Sequence, residues 1–163
     1  MSTLVAVTLQ INGVRHDIEI QPWRTLLEVL RETLGMTGTK RSCGEGQCGT
    51  CTVLIDGQAV NSCMYLAIEA QGKAIATIEG PPEGDAALQQ IQRSFVAKGA
   101  VQCGFCTPGM VVATQALLSH NPDPCEDEIR EALVGHLCRC TGYVQIVEAI
   151  QDAASQLANK GGE

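Results

Sequence analysis

Aromatic side chains are scarce in this sequence: two Phe, two Tyr and one Trp among 163 residues. Ring packing therefore contributes little to any core, although 45% of the residues are hydrophobic and a globular fold is expected. Positive charge is short as well. Eleven Lys and Arg face eighteen Asp and Glu, for a formal net charge of −7 and a pI near 4.9. No basic face of the kind that follows a nucleic-acid backbone is visible, and no basic amphipathic stretch points to a membrane surface. No apolar run approaches the length of a membrane span. The N-terminus, MSTLVAVTLQINGVRHDIEI, alternates apolar and polar residues and lacks the basic start and apolar core of a secretory signal. A cytoplasmic location is expected. Also missing are a Ser–His–Asp set, a phosphate loop and a paired carboxylate pocket. The single GEG is too short for a dinucleotide fingerprint, and His16, His120 and His136 are too scattered to suggest a site.

Cysteine, by contrast, is abundant. Nine cysteines in a reducing compartment are not expected to pair as structural disulfides, and the count is odd. Most of them are expected to hold metal.

The chain divides by period and punctuation. LVAVTLQINGVRHDIEI reads as a β-hairpin turning at Asn12-Gly13. RTLLEVLRETLG reads as a helix with a Thr25/Glu28 capping box, an apolar face of Leu26, Leu27, Leu30 and Leu34, and a stop at Gly35. TVLIDGQAV is a second hairpin turning at Asp56-Gly57, followed by a short helix near MYLAIEA and a strand near IATIE. EGPPEGD, residues 79–85, reads as a linker. Beyond it the period is helical. Leu88, Ile91 and Phe95 mark one helix. TPGMVVATQALLSH is a second, with Thr107 as N-cap and Pro108 at the first position. DPCEDEIREALVG is a third, with an Asp123/Glu126 capping box, and Tyr143, Val147, Ile150, Ala154 and Leu157 mark a fourth. The tail ANKGGE is expected to fray. The expected architecture is α+β: residues 1–79 as a small sheet around one main helix, residues 80–163 as a four-helix bundle.

Eight cysteines sort into two fours, one in each half. Cys43, Cys48, Cys51 and Cys63 begin with C-x4-C-x2-C, the plant-type ferredoxin spacing for a [2Fe–2S] cluster. Cys103, Cys106, Cys138 and Cys140 pair CGFC with CRC across 31 intervening residues. Zinc also takes four thiolates in C-x2-C knuckles, and the second group alone fits either metal. The first favours iron. A [2Fe–2S] core carries bridging sulfides that accept hydrogen bonds, and Gly44, Gly46 and Gly49 let the loop wrap closely and turn N–H groups inward. Thr107 and Thr141 each follow a ligand and read as N-caps, which would aim two helix N-termini at the second site. Arg139, and Lys40 and Arg41 beside Cys43, would ease an added electron, or are simply solvated surface charges. His136, two before Cys138, is placed to hydrogen-bond near the cluster. With both clusters the chain's charge would be about −11. Cys125 is left over, two residues beyond Asp123.

CGEGQCGTC, VQCGFCTPGM and LCRCTGY together resemble the small iron–sulfur subunit of the molybdenum hydroxylases, the xanthine dehydrogenase and aldehyde oxidase family. The resemblance runs through nearly the whole chain. It implies a β-grasp, plant-ferredoxin-like domain followed by an all-α four-helix domain, each with one [2Fe–2S] cluster. It implies an electron-transfer subunit that is not itself catalytic. Its expected partners are a large subunit with molybdopterin, in the cytosine dinucleotide form usual in bacteria, and a medium subunit with FAD. Such complexes hydroxylate aldehydes, purines or N-heterocycles, and relatives oxidise CO or reduce a hydroxybenzoyl thioester. Electrons are expected to run from molybdenum to the Cys103/Cys106/Cys138/Cys140 cluster, then to the Cys43/Cys48/Cys51/Cys63 cluster, then to flavin. The resemblance places Gln102 and Cys140 against the pterin, and the loop at Gly44 and Glu45 against the flavin subunit. Ser42, Thr50 and His136 depart from the usual Gly, Ala and Asn. The competing readings are a structural zinc-binding interaction module and a free-standing two-cluster ferredoxin.

Overall fold

The computed structural model describes residues 4–160. β1 (Val5–Ile11) and β2 (Val14–Ile20) pair antiparallel, and β3 (Thr52–Ile55) and β4 (Gln58–Asn61) do the same. Each hairpin turns through two residues at positive φ: Asn12 and Gly13 at 52° and 79°, Asp56 and Gly57 at 50° and 82°. Two such residues match the right-handed twist of the flanking strands. β5 (Ala74–Ala76) runs parallel to β1 and antiparallel to β3, giving one mixed sheet in the order β2-β1-β5-β3-β4. The strand is shorter than IATIE suggests. It ends before Ile78, whose side chain packs against the core of the helical half instead.

The segment that crosses this sheet is not one continuous α-helix. The Thr25/Glu28 capping box is present with both of its bonds, at 3.3 and 3.0 Å. α1 covers only Leu26–Glu28, however, and passes into a π turn over Val29–Thr33. The Leu34 N–H reaches back to the Val29 carbonyl at 3.0 Å. This wider turn seats Leu34 and Met36 against the core built from Leu9, Ile11, Leu26, Leu30, Val53 and Ile55. The helix expected near MYLAIEA is a pair of 3₁₀ turns, Ser62–Met64 and Ala67–Ala70.

The second half holds α2 (Ala86–Ala97), α3 (Thr107–His120), α4 (Glu126–Ala132) and α5 (Val144–Lys160) around their own core of Leu88, Ile91, Phe95, Met110, Ile129, Ile146 and Ile150. The chain is thus a mixed-sheet ferredoxin-like unit followed by a helical bundle. Three caps differ from expectation. Cys106, not Thr107, precedes α3, with Pro108 in the first turn. The α4 capping box is Cys125 with Glu128, because the Glu128 carboxylate accepts the Cys125 N–H at 2.7 Å. α5 starts at Val144, not after Thr141: Gly142 and Tyr143 both take positive φ, 67° and 72°, which no helix continues. Of the tail expected to fray, Ala158–Lys160 complete α5, and Gly161–Glu163 lie outside the described residues.

α3 crosses β3 and joins the two halves. Gly109 permits the crossing. A Cβ there would overlap the Gly49 carbonyl oxygen and stand 3.2 Å from the Thr50 Cα.

Candidate metal centres

The first cysteine loop, residues 43–51, winds through three glycines at positive φ: Gly44 at 75°, Gly46 at 77° and Gly49 at 66°. At Gly49 the backbone also approaches the other half of the molecule. A Cβ there would stand 2.5 Å from the His136 ring and 2.6 Å from the Gly135 carbonyl oxygen. The loop is tied down by Asn61, whose amide donates to the Gly46 carbonyl at 2.9 Å. Ser62 donates its hydroxyl to the Cys51 carbonyl at 2.6 Å. Cys48, Cys51 and Cys63 are buried, and Cys43 is exposed. Burial alone would raise the Cys48 thiol pKa. Hydrogen bonds from the Thr50 hydroxyl, from the backbone at Cys43 and Thr50, and from the Cys43 thiol instead bring it down to about 6. Burial and the neighbouring Cys51 thiol push Cys63 up to about 11.

The second group gathers where the loop before α3 meets the segment before α5. Cys103 and Cys140 are exposed, Cys106 and Cys138 half-buried. The Cys103 and Cys140 sulfurs lie 3.7 Å apart. Burial and the adjacent Cys138 push Cys106 up to about 12. Burial works to raise Cys138 too, but the Thr141 hydroxyl and the backbone at Thr141 and Cys140 lower it. The Thr141 hydroxyl sits 3.1 Å and its N–H 3.4 Å from the Cys138 sulfur. Thr141 is therefore a donor to the Cys138 sulfur and not a helix cap. Tyr143 completes the turn: its hydroxyl accepts the Cys138 N–H at 2.8 Å and donates to the His136 carbonyl at 3.0 Å.

The thiols gather in twos. Cys43 stands with Cys48, Cys51 with Cys63, Cys106 with Cys138 and Cys103 with Cys140. Two thiolates on one tetrahedral metal, with metal–sulfur bonds near 2.3 Å, are separated by about 3.8 Å, which the Cys103–Cys140 gap matches. Two pairs per site, with N–H and O–H donors aimed at the sulfurs, fit a two-iron cluster, whose potential such hydrogen bonds tune.

The remaining polar groups divide. Lys40 donates to the Thr37 carbonyl at 2.8 Å, and Arg41 pairs with Glu32 at 3.7 Å, so both are engaged away from Cys43. Arg139 lines a cleft of about 320 Å³ together with Cys48, Cys103, Cys106, Cys138 and Cys140. Gln102 is exposed on the loop leading into Cys103. Cys125 is exposed at the start of α4. His136 bonds across the seam to Thr52, Nε2 to Oγ1 at 3.0 Å, and its Nδ1 is buried without a hydrogen-bond partner. Burial lowers its pKa, with the Val134 carbonyl offsetting part of that effect. Sequence reasoning noted Thr50 only as a departure from the usual Ala, and did not single out Thr52, Asn61, Gly109 or the Tyr143 hydroxyl. Gly109 did carry a signal, since a glycine inside a helix is costly unless something packs where its side chain would be.

Residues 9–77 match the family described as "2Fe-2S iron-sulfur cluster binding domain", and residues 77–151 the family described as "[2Fe-2S] binding domain". The nicotinate dehydrogenase small FeS subunit of Eubacterium barkeri is 44% identical over 155 residues, 95% of this chain and 98% of that one. The xanthine dehydrogenase iron-sulfur-binding subunit of Escherichia coli O157:H7 is 44% identical over 153 residues, covering 93% and 95% of the two chains. In the crystal structure of quinoline 2-oxidoreductase from Pseudomonas putida 86, one chain superposes with a TM-score of 0.88 at 44% identity. That match covers 98% of this chain and 99% of that one.

Proposed function

The chain belongs to the molybdenum hydroxylase family as its small electron-transfer subunit with two [2Fe–2S] clusters, and from that membership we propose the residue roles that follow. Cys43, Cys48, Cys51 and Cys63 hold one cluster, and Cys103, Cys106, Cys138 and Cys140 hold the other, within units spanning residues 1–79 and 80–163. When bound, each cluster accepts and releases one electron at a time, which links a two-electron oxidation in one partner to a flavin in another. The chain's own residues do the rest. Eight thiolates bind the irons. Thr50 and Thr141 donate to ligand sulfurs, and Tyr143 fixes the backbone of Cys138. Burial of Cys48, Cys51 and Cys63 keeps water from most of the first site.

Exposure supports a direction. Cys103 and Cys140 open to the surface on one half, next to exposed Gln102, and Cys43, Gly44 and Glu45 open on the other. Gln102 and Cys140 face the molybdopterin of a large subunit, in its cytosine dinucleotide form. The Gly44–Glu45 loop faces the FAD-bearing medium subunit. The relatives above are named for nicotinate, xanthine and quinoline, and we read the substrate of this complex as an N-heterocycle or an aldehyde. No helix among the described residues is long and apolar enough to cross a membrane. Eight thiols kept reduced for metal fit the cytoplasm.

The observation that carries this reading is the gathering of eight cysteines in four pairs, two pairs in each half. Purification of the native protein tests it. The chain should elute with larger partners that carry molybdopterin and FAD. Elution alone, with both clusters, would instead mark a free-standing ferredoxin.

A further inference from the structure

The two sites meet at a seam crossed by hydrogen bonds. The Leu137 N–H donates to the Cys48 carbonyl at 3.0 Å. Cys48 belongs to the first group, and Leu137 is bonded directly to Cys138 of the second. About ten covalent bonds and this one hydrogen bond therefore connect the Cys48 sulfur to the Cys138 sulfur. Cys48 and Leu137 also line the cleft of about 320 Å³ that Cys103, Cys106, Cys138 and Cys140 surround. The Leu137–Cys48 contact supplies a continuous bonded path between the two groups.

This hydrogen bond is held by its neighbours. The Thr52 hydroxyl donates its single proton to the Gly49 carbonyl at 2.6 Å. The 3.0 Å contact between Thr52 Oγ1 and His136 Nε2 must then use a proton that the histidine carries on Nε2. His136 is the residue before Leu137, and Gly49 is the residue after Cys48. The chain His136–Thr52–Gly49 thus clamps both sides of the Leu137–Cys48 bond. The absence of a side chain at Gly49 lets the imidazole lie against the loop.

We propose that Thr52 and His136 are a positioning pair that keeps the Leu137–Cys48 hydrogen bond closed, and that this bond is the electronic bridge between the two cluster sites. The inference rests on the cluster assignment above. One electron leaves the second site as the first gains one. The molybdenum-bearing partner supplies it and the flavin-bearing partner removes it.

The test uses the purified complex with all its subunits, comparing wild type with Thr52→Val, Thr52→Ser and His136→Phe. Two quantities are read: hydrogen exchange at the Leu137 amide, and the magnetic coupling between the two centres when each is reduced by one electron. Loss of one supporting hydrogen bond should speed Leu137 exchange about fivefold in Thr52→Val and His136→Phe. The coupling should weaken in the same two variants, and Thr52→Ser should behave as wild type in both. Wild-type exchange and coupling in any hydroxyl-free or imidazole-free variant that keeps its iron would overturn the proposal. Should both variants lose iron, the wild-type Leu137 amide decides: slow exchange supports the bridge, and exchange at the rate of an open loop refutes it. Failure of the cluster assignment itself shows separately, as a wild-type complex without two distinct one-electron signals.

Discussion

The Tyr143 hydroxyl holds the backbone of Cys138, accepting its N–H at 2.8 Å while donating to the His136 carbonyl at 3.0 Å. Positive φ at Gly142 and Tyr143 lets the chain turn this ring back onto the segment just passed. The phenol is the polar partner of a loop that carries two of the proposed ligands, Cys138 and Cys140. Replacing Tyr143 by Phe leaves one N–H and one carbonyl half-buried without it, at a cost of about 1–3 kcal/mol. The loss should fall on the second site. In thermal unfolding of the holoprotein, Tyr143→Phe should release the second cluster signal at a lower temperature than wild type and leave the first in place. Equal loss of both signals would place the role of the phenol in global folding.

Gly109→Ala separates packing from propensity. In an open helix the change would stabilise by roughly 1 kcal/mol. Here the new methyl group meets the Gly49 carbonyl, so the seam between α3 and the first loop must open. A net destabilisation of about 1–3 kcal/mol is expected, as for overpacked cores. Calorimetry should show a lower Tm. A rise in Tm would mean that the two halves do not pack this closely.

Cysteine substitutions should act one site at a time. Cys106→Ser removes one thiol of the Cys106/Cys138 pair, a proposed ligand, and should abolish or alter the second signal alone. Cys51→Ser should do the same to the first. Iron analysis should find about two irons remaining in each variant. In the complex, Cys106→Ser should also block electron exit from molybdenum. Unchanged turnover with an external flavin-side acceptor would contradict the proposed route.

Much of this was legible along the chain because it is local. Asn12-Gly13 and Asp56-Gly57 announce hairpins through the backbone angles those pairs tolerate, and both turns form as read. The eight cysteines stand out by spacing. Features decided by distant contacts, or by which of several nearby partners a group takes, were not legible. The π turn at Val29–Thr33 follows from seating Leu34 and Met36 on the sheet. Cys125 takes the cap expected of Asp123 because Glu128 reaches its N–H. Thr141 looks like a helix cap to any local rule, yet its hydroxyl turns to the Cys138 sulfur, which the fold brings within 3.1 Å. The Cys103–Cys140 pairing joins residues 37 positions apart, and the contacts of Gly49 with His136 and Gly109 join residues 60 or more apart, beyond the reach of any local pattern.

The most direct measurement is the metal content and electron paramagnetic resonance of the purified holoprotein after stepwise reduction. The account predicts about four irons and four acid-labile sulfides per chain, and two distinct S = 1/2 signals, each appearing with one electron. A colourless protein holding zinc, with no signal on reduction, would contradict it.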